Sequence, residues 1–319
     1  LYSSAASDVY KRQLDDTSVL SVQEDGSICV GVMASRKVSV DISDISLTKS
    51  DSNGVGSGKV VDDTITPSAT IYSSTTSGSK DYEFIYQPNV AGQLVVTAPD
   101  GSEAYNKVVA ANEVVKVNVP LTTGDNEIKA TLVPDKTQKL TSYGAFTKTI
   151  TVTCQQYGLE GQTIIVAPDA SSDGKGTMES PLDIYTAVKY AQPGQVLYLK
   201  NGSYTGGDVK IERSVSGTAD KNITMVAETT GQVKFDGVGL NVTGSYWHIY
   251  GIHVYYPSNV GIQICGNYNT IEMCTVEGSK NTGIQISRNG SADNVAGIES
   301  LLWPSYNLVK NCESFDNCD

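Results

Sequence analysis

The side chains that could act on a ligand lie late in the chain. Arg288 offers a planar fork donor suited to a carboxylate. Trp303 and Tyr306 offer ring faces for a sugar, and Asp316 and Asp319 could support a site from behind it. Each also has an ordinary use: Arg288 as a capping or solvated cation, the two aromatic residues as packing for a loop, the two aspartates as turn residues. His248 and His253 are the only histidines, which excludes schemes needing several imidazole ligands; surface positions suffice for both. The six cysteines, Cys29, Cys154, Cys265, Cys274, Cys312 and Cys318, show neither CxxC pairs nor zinc-site spacing. Cys29 and Cys154 could bridge the region between them or remain two buried thiols. No residue of this set is assignable as catalytic, and none as a metal ligand.

The positioning elements follow from an internal repeat. Gly239-Leu-Asn-Val242, Gly261-Ile-Gln-Ile264 and Gly283-Ile-Gln-Ile286 recur every 22 residues. At the same interval Tyr246 matches Tyr268, Ile249 matches Ile271, Ile252 matches Cys274 and Val254 matches Val276. Very short strands separated by Gly and Asn turns, repeating at this length, require coils that stack as a parallel β-helix. Ile262 then sits on Ile284 and Ile264 on Ile286, Asn269 and Asn307 share a turn position, and Cys274 and Cys312 share an interior column. The next copy begins at Tyr306, 38 residues after Tyr268, so 16 extra residues, from about Gly290 to Ser305, must bulge out. Before the coils, Ser180-Pro-Leu-Asp183 offers an N-cap serine and a proline at the first helical position, predicting a short capping helix near 181–191.

Upstream, strands of alternating apolar and polar residues, such as Val115–Val119, Ile128–Leu132 and Thr149–Thr153, alternate with turns such as Pro99-Asp-Gly101 and Thr123-Gly-Asp-Asn126. That is the pattern of antiparallel sheets packed on one face, a β-sandwich. The fold class is therefore all-β, with a sandwich over 14–157 and β-helix coils over 158–319. Residues 1–13 read as a sequencing-adaptor artefact, and no secretory signal is present. The coils stop without a cap at Asp319, which reads as truncation. A bare coil would expose aliphatic side chains worth about 1.5–3 kcal/mol each, so the reading predicts aggregation on expression. A net charge of −12 at pH 7 leaves no electrostatic footprint for nucleic acid or an anionic membrane. No apolar run reaches the roughly 18 residues of a membrane span. The sequons at Asn201, Asn222, Asn241 and Asn289 carry no meaning in a bacterial product.

The first region, with Leu121-Thr-Thr-Gly-Asp-Asn-Glu-Ile128 and its final alternating strand, resembles immunoglobulin-like modules that precede catalytic domains in bacterial secreted enzymes. Its role is either glycan or surface attachment or that of a spacer. From Gln162 to Asp319 the sequence resembles polysaccharide lyase family nine, the pectate and exopolygalacturonate lyases. The carrying motifs are Gly244-Ser-Tyr-Trp-His-Ile-Tyr-Gly-Ile252, Asn281-Thr-Gly-Ile-Gln-Ile-Ser-Arg288, Trp303-Pro-Ser-Tyr-Asn-Leu308 and Asn311-Cys-Glu-Ser-Phe-Asp-Asn317. The resemblance implies a right-handed β-helix, calcium held by aspartates, pectin or another acidic polysaccharide as substrate, and cleavage by β-elimination with a lysine base. It places those catalytic groups on coils beyond Asp319, so this chain is expected to be an inactive part of a secreted or cell-surface lyase, monomeric when full length. Two other classes share such coils: non-catalytic β-helix surface or glycan-binding proteins, and other uronate-processing enzymes such as epimerases.

Overall fold

The computed structural model describes residues 64–158, 162–288 and 303–318. The chain divides into two compact units, Leu1–Ile65 and Thr66–Asp319, and all strands named here lie in the second. Residues 14–63 of the expected sandwich, with Cys29, lie outside the described residues. So do residues 289–302 of the expected insertion.

The first strands form a sandwich of two sheets. Strands Ala69–Ile71, Asp81–Pro88 and Val115–Pro120 pair antiparallel as one sheet. The second sheet holds Thr76–Ser77, Phe146–Cys154, Gly124–Pro134, Gly92–Thr97 and Glu103–Val109 in that order. Alternation does what period 2 requires: Val115, Val117 and Val119 turn inward while Lys116 and Asn118 face water. Tyr82, Phe84 and Tyr86 meet Leu94, Val96, Ile128 and Leu132 in one core. The Pro99–Gly101 turn closes with Gly101 N–H donating to Ala98 O at 2.9 Å, Gly101 having φ +84°. Cys154 is buried as a free thiol and donates to Ser79 O at 3.5 Å.

From Thr163 the chain winds into parallel coils. One sheet stacks Thr163–Val166, Val196–Leu199, Ile223–Ala227, Trp247–Tyr250, Thr270–Glu272 and Leu308–Lys310. A second stacks Gly202–Tyr204, Val233–Asp236, Ile252–Tyr255, Thr275–Glu277 and Glu313–Phe315. The third stacks Val209–Ile211, Leu240–Val242, Ile262–Ile264 and Ile284–Ile286. The 22-residue interval is the register itself, with Ile262 beside Ile284 and Ile264 beside Ile286. Inward side chains from all three sheets form one core, including Trp247, whose Nε1 donates to Val215 O at 2.8 Å.

The corners hold the pitch. Tyr246, Tyr268 and Tyr306 all adopt left-handed backbone (φ 59°, 57° and 58°) and their rings stack at 4.8 and 4.7 Å. Just inside them Asn269, fully buried, accepts from Trp247 N–H at 2.9 Å and donates to Gly244 O at 3.0 Å. One coil on, Asn307 repeats both contacts with Asn269 N–H and Gly266 O, each at 2.9 Å. A buried amide that satisfies the backbone groups of a turn removes the desolvation penalty those groups would carry.

The capping helix runs over Ile184–Tyr190, three residues later than Ser180 as N-cap would place it, and Asp183 is the cap, accepting from Thr186 N–H at 2.9 Å. The reason lies in Ser180–Leu182. Ser180 closes a turn with Thr177 and accepts from Lys175 N–H, while Leu182 pairs with Val166 as an extra strand position. Extended backbone is also what a residue preceding proline favours. Ile184, Ala187 and Val188 then cover the first coil.

Candidate functional site

Outward side chains on two sheets form matching polar clusters. In Trp247–Tyr250 and Ile252–Tyr255, histidine and tyrosine alternate with buried residues, so His248 and Tyr250 point out of the first sheet and His253 and Tyr255 out of the second. Each histidine lies edge-on to its tyrosine, at 6.3 and 5.6 Å. Each reaches diagonally to a glutamate on the next coil: His248 Nε2 to Glu272 Oε2 at 3.0 Å, His253 Nε2 to Glu277 Oε2 at 3.1 Å. Lys310, one coil further, approaches the other Glu272 oxygen at 3.1 Å. The hydrogen bond from Lys310, and with less weight that from His248, hold the Glu272 carboxyl below the ordinary carboxylate range against some desolvation. Lys234 Nζ sits over the Tyr255 ring, 3.2 Å from its centroid. These side chains can bind acidic or hydroxyl groups through the half-exposed histidines and lysines. The glutamates are already engaged by side chains of neighbouring coils, Glu272 by His248 and Lys310 and Glu277 by His253.

A cleft of about 800 Å³ runs between the sandwich and the tyrosine corner, with Tyr72, Lys116, Arg213, Tyr246, Tyr268 and Tyr306 among its walls. Its lining combines phenol groups and serine hydroxyls with Lys116 and Arg213 and with the carboxylates of Asp81 and Glu83, of which Glu83 pairs with Lys116 at 3.1 Å.

The residues singled out from the sequence take separate places. Arg288 is exposed just after the last strand of the third sheet. Trp303, 69% exposed, opens the following coil, and Ser305 Oγ donates to its carbonyl at 3.1 Å. Tyr306 stacks on Tyr268 and lines the cleft beside the sandwich. Asp316 is exposed at a different corner, in left-handed backbone (φ 55°) stacked in sequence with Tyr256 and Gly278. Asp319 lies outside the described residues. The histidine clusters were not foreseen, although period and alternation together contained the signal: 22 residues after His248 comes Thr270, and the next outward residue is Glu272. Among the described residues no three His, Cys, Asp or Glu side chains come together to hold a metal ion.

Residues 164–319 match the family model for the Pel9A-like, right handed beta helix region, and residues 70–155 match that for the pectate disaccharide-lyase central Ig-like domain. The pectate lyase L of Thermoclostridium stercorarium is 35% identical over 315 residues, covering 95% of this chain and 25% of that protein. The pectate disaccharide-lyase of Dickeya chrysanthemi is 29% identical over 292 residues, covering 90% of this chain and 36% of that protein. The solved structure of pectate lyase Pel9A aligns with 47% of this chain and 38% of its own, at 27% identity and a TM-score of 0.38. The chain therefore spans a quarter to about a third of the length of these curated relatives.

Proposed function

From the premise that the chain is polysaccharide lyase family nine-like, an immunoglobulin-like module followed by a right-handed β-helix, we propose that it belongs to a secreted enzyme cleaving pectate by calcium-assisted β-elimination. The observation that carries this reading is the pair of matches, module then helix along one chain, together with 35% identity to a pectate lyase across nearly the whole chain. The acidic polysaccharide, calcium and secretion are parts of the proposal. β-Elimination needs a base for the C5 proton and positive charge near the uronate carboxylate, which lowers that proton's pKa and stabilises the developing anion. In the described coils the permanent cations are lysines and the arginines Arg213 and Arg288, and the glutamates of the outer faces already contact His248, His253 and Lys310. No carboxylate cluster for calcium is present among these residues. We therefore expect the 319-residue chain to lack lyase activity.

The test is ultraviolet detection of unsaturated uronate products from polygalacturonate, with the chain alone and with a protein extended by the following coils of its parent gene. The expected result is no product from the chain and chelator-sensitive product from the extended protein. No product from the extended protein with calcium supplied would remove the lyase reading and leave a glycan-binding β-helix. Product from the chain alone would overturn the expectation of inactivity.

A further inference from the structure

One interior column carries chemistry that the lyase reading does not use. Ile252, Cys274 and Cys312 occupy one position of successive coils, so an aliphatic side chain fits there, yet two successive coils hold thiols. Their flanks are paired in register, Glu272 with Lys310 and Thr275 with Glu313, and Glu313 N–H donates to Cys274 O at 3.0 Å. Each cysteine follows a left-handed residue of the same φ, Met273 and Asn311 at 53°, so the chain leaves the corner in the same direction twice. The thiols accordingly make the same contacts. Cys274 Sγ lies 3.3 Å from Glu272 O and 3.8 Å from Ile249 O; Cys312 Sγ lies 3.3 Å from Lys310 O and 3.5 Å from Ile271 O. Stacked strands are about 4.8 Å apart, inside the Cα separation of about 4.4–6.8 Å that a disulfide spans.

We propose that Cys274 and Cys312 are a modification site, a cross-coil dithiol that closes to a disulfide on meeting a low-molecular-weight disulfide oxidant. The environments assign the roles. Cys312 is half-buried, and the neighbouring Cys274 thiol draws the Cys312 thiol down against the opposing effect of burial, so it is the more readily ionised of the two. Cys274 is buried, and the neighbouring Cys312 together with burial raises its thiol well above the ordinary value. The Cys312 thiolate attacks one sulfur of the oxidant, forming a mixed disulfide and releasing one thiolate. Cys274 then gives its proton to solvent and attacks the Cys312 sulfur, releasing the second thiolate. Two protein thiols are oxidised to one disulfide and one oxidant disulfide is reduced to two thiols. The bond would tie the coil ending at Glu277 to the coil that resumes at Leu308.

The experiment exposes the full chain carrying Cys318→Ser, which removes an exposed competing thiol, to oxidised glutathione and maps its peptides without reduction. The expected result is a Cys274–Cys312 peptide pair, two fewer titratable thiols, reversal by dithiothreitol, and loss of the cross-link in an added Cys312→Ser variant. A stable glutathione adduct on Cys312 with Cys274 still a thiol, or both thiols unreacted in the folded chain, would overturn the proposal. If a variant fails to fold, mapping of the unsubstituted chain decides the same question. The readout is a covalent bond rather than turnover, so it stands apart from the fate of the lyase reading.

Discussion

The sandwich and the β-helix are built from similar valine- and isoleucine-rich strands but are specified differently. In the sandwich the sheets are set mainly by antiparallel neighbours, the short parallel pair of Thr76–Ser77 with Phe146–Cys154 aside: Gly124–Pro134 pairs with both Gly92–Thr97 and Phe146–Cys154. In the helix a strand of three residues places only one or two side chains inward, and its stability comes from the coils above and below. A three-residue strand buries too little apolar area to stand alone. The sandwich thus spreads its stability over sheets closed by local turns, while the helix accumulates it along columns.

The largest effect should come from the two cores. Trp247→Ala and Phe84→Ala should each cost about 3–5 kcal/mol, since both side chains are fully buried. Their reach should differ. Hydrogen exchange is expected to show Trp247→Ala deprotecting the neighbouring coils, Ile223–Ala227 and Thr270–Glu272, while Phe84→Ala deprotects sandwich strands alone. Equal, local deprotection in both variants would erase the contrast between columns and sheets.

Next come the two buried asparagines that hold turns. Asn126 donates to Thr122 O and Gly124 O, each at 2.7 Å, and accepts from Thr122 N–H at 2.8 Å, so its bonds lie mostly within its own turn, with one longer bond to Val152 O of the adjacent strand at 3.3 Å. Asn269 instead joins successive coils. Alanine at either should leave buried backbone groups unpaired at about 1–3 kcal/mol per group. A urea titration should report the larger loss for Asn269, whose removal disturbs two coils. A larger loss at Asn126 would reverse the ranking.

A smaller pair is Gly278→Ala against Gly101→Ala. Both have positive φ, +66° and +84°, costing an L-residue about 1–2 kcal/mol. At Gly278 a Cβ would also meet the Tyr256 ring of the previous coil at 2.8 Å, whereas at Gly101 nothing lies within 4 Å. Thermal midpoints should fall further for Gly278→Ala; equal shifts would mean that Tyr256 moves aside freely.

The smallest effect concerns acid. Asp100 is held below its ordinary value by its hydrogen bonds from Ser102, and Glu272 below its own by Lys310 and then His248. Because each folded value is depressed, the associated stability is present above the ordinary carboxylate value and fades as pH falls through the folded one. Ser102→Ala and Lys310→Met should each flatten the acid limb of stability against pH, slightly, since both carboxyls meet solvent. An unchanged acid limb in Lys310→Met would show that the cross-coil ion pair contributes nothing.

How far the sequence carried the fold follows from the same contrast. The interval predicted the pairs of Ile262 with Ile284 and of Ile264 with Ile286, and the asparagine turn, because a column is a statement about spacing alone. The helix cap was misplaced by three residues because Leu182 joins a sheet, a tertiary choice that outweighs the local capping preference of Ser180. The candidate site was harder to read. Arg288, Trp303 and Asp316 are surface residues whose types fit several roles, and only the order of the corners separates them. The histidine clusters depend on a diagonal between coils, which requires period and facing to be combined.

The tyrosine stack has one further implication. Tyr268 follows Tyr246 by 22 residues and Tyr306 follows Tyr268 by 38, yet the ring spacings are 4.8 and 4.7 Å. Pitch is indifferent to how much chain is spent between Ile286 and Leu308. That junction is a natural port for grafting: a guest peptide or recognition loop introduced there would leave the scaffold's axial repeat untouched, whereas one extra residue inside any three-residue strand would throw every later column out of phase.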